Sequence, residues 1–257
     1  MIHYIDSHAH LFFCDHAETS DILHRARKSG VKKLITVSTD DTNWEINRSL
    51  ALNDKDIFFS LGLHPHTASR YPECAASLAR YFENTVPERC VAIGETGLDF
   101  HYDLSPRDIQ IDVFESQLAL ANRLNLPVII HTRDAFIEVF SIIRRMGLPQ
   151  AGGVMHCFSG NEAQATEAID LGLHISFSGI LTFKNATEVR EAARKAPLDR
   201  ILLETDCPYL SPEPYRGKPN EPCRLPIIAQ QLGALRNLTI EEVGYATYHN
   251  TTRLFRL

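Results

Sequence analysis

The chain is short of most features that would place it outside the ordinary globular proteins. No apolar run approaches the roughly 18 residues a membrane span requires, so no membrane-spanning helix is expected. The opening residues, Met-Ile-His-Tyr-Ile-Asp, lack a basic segment followed by an apolar one, so no secretory leader is expected. The six cysteines (14, 74, 90, 157, 207, 223) form no CxxC pair, which argues against a disulfide frame or a thiolate zinc site and for reduced thiols in the cytoplasm. There is no excess of positive charge: the net charge is −6, which excludes a general basic coat for DNA and makes any nucleic-acid contact local. Low-complexity runs, linkers and internal repeats are also missing.

What is abundant is histidine, twelve in 257 residues, the side chain most often found on metals. The length suits one large domain, residues 1–257, since α/β barrels reach about 250 residues as a single unit.

Short apolar runs alternate with helix-like segments along most of the chain. The runs cover residues 2–5, 31–38, 57–61, 90–93, 126–130, 153–155, 174–176 and 200–203. Helical patterns follow each of the first seven, near 20–29, 42–53, 73–84, 105–125, 135–146, 162–171 and 186–196. Strict alternation implies parallel strands with right-handed crossovers, and eight units of this size give the count of an α/β (β/α)8 TIM barrel. An open doubly wound sheet would share the order, but the even spacing favours closure. The texture then changes: residues 207–226 hold six of the thirteen prolines and read as a long ordered loop. Extra C-terminal helices are expected at 225–236 and 239–249.

Polar residues fall where barrel enzymes keep their chemistry, at the C-terminal ends of the strands. His8 and His10 end the first, and the two-residue strand period points both the same way. Glu95 ends the fourth, between Gly94 and Gly97, where a buried carboxylate is costly unless a cation meets it. His131, His156 and Asp206 end the fifth, sixth and eighth. A lone strand-end histidine is commonly structural; six such residues converging on one face are better read as a site for two divalent ions bridged by Glu95. One ion is assigned to His8, His10, Glu95 and Asp206, the other to Glu95, His131 and His156. The ions would be zinc, manganese or magnesium, and the imidazole-rich set suits zinc, manganese or iron better than magnesium or calcium.

Two such ions carry about +4 against two carboxylates and leave about +2, which favours an anionic substrate. Glu95 and Asp206 are the candidate catalytic residues, with Asp206 placed to orient a water or take its proton. His64, His66, Arg133, Arg216 and Lys218 are candidate phosphate contacts, the last two on the proline-stiffened loop. Phe158 and Tyr209 flank the mouth and could stack on a base, although packing roles are as common.

The segments DSHAH (6–10), GLHPH (62–66), GETGLD (94–99), LPVIIHTRDA (126–135), HCFSG (156–160), ETDCPYL (204–210) and RGKPNEP (216–222) resemble the TatD family of metal-dependent deoxyribonucleases, in that family's order and over essentially the whole chain. The resemblance implies the same six metal positions. It also implies hydrolysis of phosphodiester bonds in DNA, commonly from the 3′ end, with single strands or 3′ ends as partners. Thr96 and Arg224 depart from the family's usual residues, and Arg224 bears on the substrate loop. Two other readings compete: a hydrolase of small phosphate esters or C–N bonds on the same ions, and a noncatalytic metal-binding scaffold. Metal-bridging lysines, common among C–N-cleaving barrels, are missing at the ends of the fourth and fifth runs. Nothing in the sequence sets an oligomeric state, and a monomer is compatible with it.

Overall fold

A computed structural model describes residues 2–71, 73, 76–82 and 85–257. Eight strands, β1 (Tyr4–Ala9), β2 (Val31–Val37), β3 (Ile57–Leu61), β4 (Cys90–Asp99), β5 (Val128–Arg133), β6 (Gly153–Met155), β7 (His174–Phe177) and β8 (Ile201–Leu203), form one sheet in chain order. Every neighbouring pair is parallel. The first and last strands meet just beyond β8: the Asp206 amide donates to the His8 carbonyl at 2.9 Å and the His10 amide to the Cys207 carbonyl at 2.8 Å. Those two bonds tie residues almost two hundred positions apart and make the TIM barrel.

Helices α1 (Thr19–Lys28), α2 (Trp44–Asn53), α3 (Ala76–Tyr81), α4 (Arg107–Leu124), α5 (Phe136–Met146), α6 (Glu162–Asp170) and α7 (Thr187–Lys195) follow the first seven strands. Helices α8 (Leu225–Arg236) and α9 (Ile240–Phe255) complete the chain, α9 running six residues past its expected end. Part of the helix expected over 73–84 lies outside the described residues. A strand covered on one face by helices and on the other by the barrel interior must be apolar on both, which is why these strands read as runs rather than as alternating patterns. Inside, Ile35, Val37, Ala92, Ile129, Val154 and Leu202 pack together, and Leu254 and Phe255 of α9 join them. The last turn of α9 thus plugs the end of the barrel opposite the strand C-termini.

The strands differ from expectation in one consequential way. β4 was expected to stop at Ile93 and turn at the glycines, but it runs on to Asp99. The glycines serve close approach instead. A Cβ on Gly62 would lie 2.4 Å from the Gly94 carbonyl carbon, and a Cβ on Gly97, at φ +135°, would lie 2.0 Å from the His131 carbonyl oxygen. Three strands are thereby drawn together around Glu95. β1 and β5 likewise run on through His8 and His131 rather than stopping before them.

Helix α4 supports the same region with two buried glutamines one heptad apart. Gln117 accepts from the Leu63 amide at 2.8 Å and donates to the Leu63 carbonyl at 2.9 Å. Gln110 treats Asp99 likewise, accepting from its amide at 2.9 Å and donating to its carbonyl at 3.2 Å. An apolar-only reading of this helix face overlooks them, because the partners are backbone groups of distant strands.

Candidate metal centre

Glu95 lies at the middle of the strand C-termini and is almost completely buried. Its two oxygens face different partners. Oε2 lies 3.4 Å from His8 Nε2 and 3.5 Å from His10 Nε2. Oε1 lies 2.8 Å from His156 Nε2, 3.1 Å from His131 Nδ1 and 3.2 Å from His64 Nε2. Asp206 joins the first group: its Oδ1 is 3.4 Å from His10 Nε2 and 3.7 Å from His8 Nε2. The six residues expected as metal positions therefore converge, divided by the two oxygens of one carboxylate.

Each imidazole is held by its far side or by packing. His10 Nδ1 faces the Val37 carbonyl at 3.0 Å, which makes Nδ1 the protonated nitrogen and leaves a lone pair on Nε2. His131 is reversed: Nε2 lies 3.0 Å from Asp99 Oδ2, so Nδ1 is the free nitrogen. His156 Nδ1 is 3.3 Å from Glu204 Oε1, and the same oxygen accepts the Cys157 amide at 2.6 Å. His8 is positioned by its ring, which stacks on His156 with centroids 3.9 Å apart and planes 12° from parallel. Asp6 ties the frame together, accepting the Thr205 amide at 2.9 Å and the His8 amide at 3.3 Å.

Asp99 and Glu204 were not singled out from the sequence. A signal for Asp99 existed: it stands four residues beyond Glu95 on one strand, hence on the same face. The signal was hidden by the expectation that the strand ended earlier. Glu204 had only its place beside Asp206 to recommend it.

Charge follows geometry. Burial raises the Glu95 carboxyl, but His156, His64 and His8 outweigh it and hold the group well below the ordinary carboxylate range. Asp206 and Asp99 are also held low against burial, Asp206 by His10 and His8, Asp99 by hydrogen bonds from His131 and His66. Burial pushes His64 down to about 4. Its Nδ1 accepts the His66 amide at 3.1 Å, so its one N–H donates to Glu95.

The donor set fits a cation. His8 Nε2 and His10 Nε2 lie 3.1 Å apart, and both face Glu95 Oε2. With His10 Nδ1 committed as a donor, the lone pair of His10 Nε2 and those of Glu95 Oε2 converge at a buried point, an arrangement that a bound cation satisfies. Three ligand atoms within 4.8 Å of one another are offered by His8, His10 and Glu95, by Glu95, His131 and His156, and by two further groups, His8 with His156 and Glu204, and His64 with His66 and His131.

The residues expected to meet phosphate are more dispersed. His64 is buried and turned inward to Glu95, so its N–H is not directed at the mouth. His66 Nε2 is 2.8 Å from Asp99 Oδ2. Arg133 lays its guanidinium 4.6 Å from the centre of the Tyr102 ring. Arg216 sits 3.7 Å over Phe183, and both Arg216 and Lys218 are exposed. Their loop is pinned at its C-terminal end, where Arg25 and His16 both bind Glu221, at 2.7 and 3.1 Å, and Arg224 binds Ser211 Oγ at 2.7 Å. Phe158, one of the two aromatics considered for stacking, is instead buried against Phe136 and Phe177. Tyr209 is half exposed.

A parallel barrel with this histidine and carboxylate set at its C-terminal pole defines a metal-dependent hydrolase. The sequence matches the family described as TatD related DNase over residues 5–256, and the chain belongs to that family. It is 40% identical to "uncharacterized metal-dependent hydrolase YabD" of Bacillus subtilis over 98% of both chains. It is 38% identical to "3'-5' ssDNA/RNA exonuclease TatD" of Erwinia tasmaniensis, over 92% of this chain and 93% of that one. Among solved structures, the TatD homologue YjjV of Escherichia coli superimposes with a TM-score of 0.93 at 33% identity, covering 99% of this chain and 98% of the other. Among the described residues, no helix is long and apolar enough to cross a membrane.

Proposed function

We propose that this hydrolase cleaves phosphodiester bonds in DNA, removing nucleotides from the 3′ end of single strands, with two divalent ions. The observation that carries the proposal is the division of Glu95: Oε2 faces His8 and His10, Oε1 faces His131 and His156. His8, His10, Glu95 and Asp206 would hold one ion; Glu95, His131 and His156 would hold the other. The relative named an exonuclease on single-stranded DNA and RNA supports the substrate class.

Bound ions of this kind supply positive charge against the phosphoryl oxygens and make a water acidic enough to attack near neutral pH. The chain's own residues do the rest. The Asp206 side chain is 12% exposed against 3% for Glu95, so it is the carboxylate that reaches the mouth. It orients the attacking water and takes its proton. His64, its N–H donated to Glu95, helps keep that carboxylate ionised and fixed in orientation. Arg133 and the exposed Arg216 and Lys218 would meet the phosphates of the strand.

The test is cleavage of an end-labelled single-stranded oligodeoxynucleotide and a 3′ overhang with Mg²⁺, Mn²⁺ or Zn²⁺, with Glu95→Ala alongside and metal content measured for both. Stepwise shortening by the parent and none by the variant is the expected result. Equal cleavage by both would refute the site. Metal bound without cleavage by the parent would shift the reading to a small phosphate-ester or C–N substrate.

A further inference from the structure

The mouth of the barrel carries aromatic surface that ion binding does not require. Phe13 lies in the short helical turn after β1 and is 42% exposed; Tyr209 lies in the loop after β8 and is 50% exposed. Their rings meet edge to face with centroids 6.4 Å apart. Each stands beside His10, at 6.0 and 6.1 Å between centroids, on the Oε2 side of Glu95. The Oε1 side has a counterpart. Tyr102, 54% exposed, stands edge to face against His66 at 5.5 Å, and His66 lies 6.1 Å from His131. Arg133 covers one face of the Tyr102 ring.

Single exposed aromatics are common and need no explanation. These three come from loops after β1, β4 and β8, yet all border the two halves of one charged centre. An anionic chain passing over that centre would bring planar groups against rings on either side.

We propose that unpaired nucleobases flanking the scissile phosphate stack on these rings, one against Phe13 and Tyr209 and one across the centre against Tyr102 with its Arg133. The inference rests on the nuclease reading and adds its specificity. In a duplex the base faces are covered by their neighbours, so a site that binds through base faces selects single strands and frayed ends. Stacking tolerates every base, so little sequence preference is expected.

The test measures binding without turnover, by fluorescence anisotropy on the metal-loaded protein with probes whose 3′-terminal linkages are cleavage-resistant phosphorothioates. Two probes are used: an oligodeoxythymidylate and the same oligomer with abasic residues at its last two 3′ positions. Removing the two bases should weaken binding to the parent about a hundredfold, roughly tenfold for each base stacked on an aromatic ring. The Phe13→Leu/Tyr209→Leu double variant should lose about tenfold on the intact oligomer and only about a further tenfold, from the base left on Tyr102, when the two bases are removed. Tyr102→Leu, on another loop, should show the same non-additivity, and Tyr209→Phe should bind like the parent. Losses that simply add, or variants that bind the intact oligomer as the parent does, would overturn stacking even if the parent cleaves DNA. Failure of the metal-loaded parent to cleave either oligomer made without phosphorothioates would overturn the nuclease reading and stacking with it.

Discussion

At the scale of single residues, Asp99 illustrates how a group that touches no substrate can govern a site. Its Oδ2 receives both His131 Nε2, at 3.0 Å, and His66 Nε2, at 2.8 Å, while Oδ1 accepts the amides of His101 and Tyr102. An asparagine has one acceptor oxygen. If that oxygen stays with the two amides, its NH₂ faces the imidazoles and favours the His131 tautomer with the proton on Nδ1, the nitrogen aimed at Glu95. Asp99→Asn should therefore weaken metal binding by roughly 10- to 100-fold, the usual cost of losing an outer partner of a metal-bound histidine. Metal titration by calorimetry would check it, and unchanged affinity would remove His131 from the ligand set. Arg224 has a local role: it bonds Ser211 and the Pro219 carbonyl at 2.7 and 2.5 Å and so braces the proline-rich loop.

At the scale of elements, β4 is the strand on which the centre depends. It presents Glu95 and Asp99 on one face and packs against β3 and β5 at glycine contacts too close for any side chain. Gly97→Ala would push a methyl group against the His131 backbone and impose a left-handed φ on alanine. Both penalties act on the folded state, so a loss of more than about 2 kcal/mol is expected, read as a lowered urea midpoint. A neutral result would mean that β4 and β5 can part without cost, which the tight register at Gly97 and His131 argues against. The buried glutamines of α4 act on the same strand and its neighbour, fixing the backbone at Asp99 and Leu63.

At the scale of the whole molecule, the pole opposite the metal centre makes a pH-dependent contribution of its own to stability. His174 opens β7, near the end plugged by α9, and is buried; burial first, then Arg200, pushes it down from an ordinary 6.5 to about 4. The unfolded chain binds a proton at this residue below about pH 6.5 while the folded chain resists until about pH 4. Stability from this source is thus fully present above pH 6.5 and is lost as pH falls toward 4. Between pH 7.5 and 5 the parent should lose about 2 kcal/mol more than His174→Gln, measured by urea unfolding at each pH. Equal losses would show that His174 titrates normally.

The order of strands and helices was legible because each barrel strand must be apolar on both faces, so its run stands out in the sequence, and because strands of a barrel deliver polar residues at one pole. That local logic is enough to bring His8, His10, Glu95, His131, His156 and Asp206 to one place. It could not say which oxygen of Glu95 faces which imidazole, that Asp99 and Glu204 steady two of the rings, or that Phe158 is core while Tyr209 is surface. Those facts depend on contacts between residues distant in sequence, set by ring closure at His8 and Asp206 and by the glycine packing of β3, β4 and β5. Periodicity encodes burial along the chain, whereas distances across the barrel exist only once all eight strands are in register.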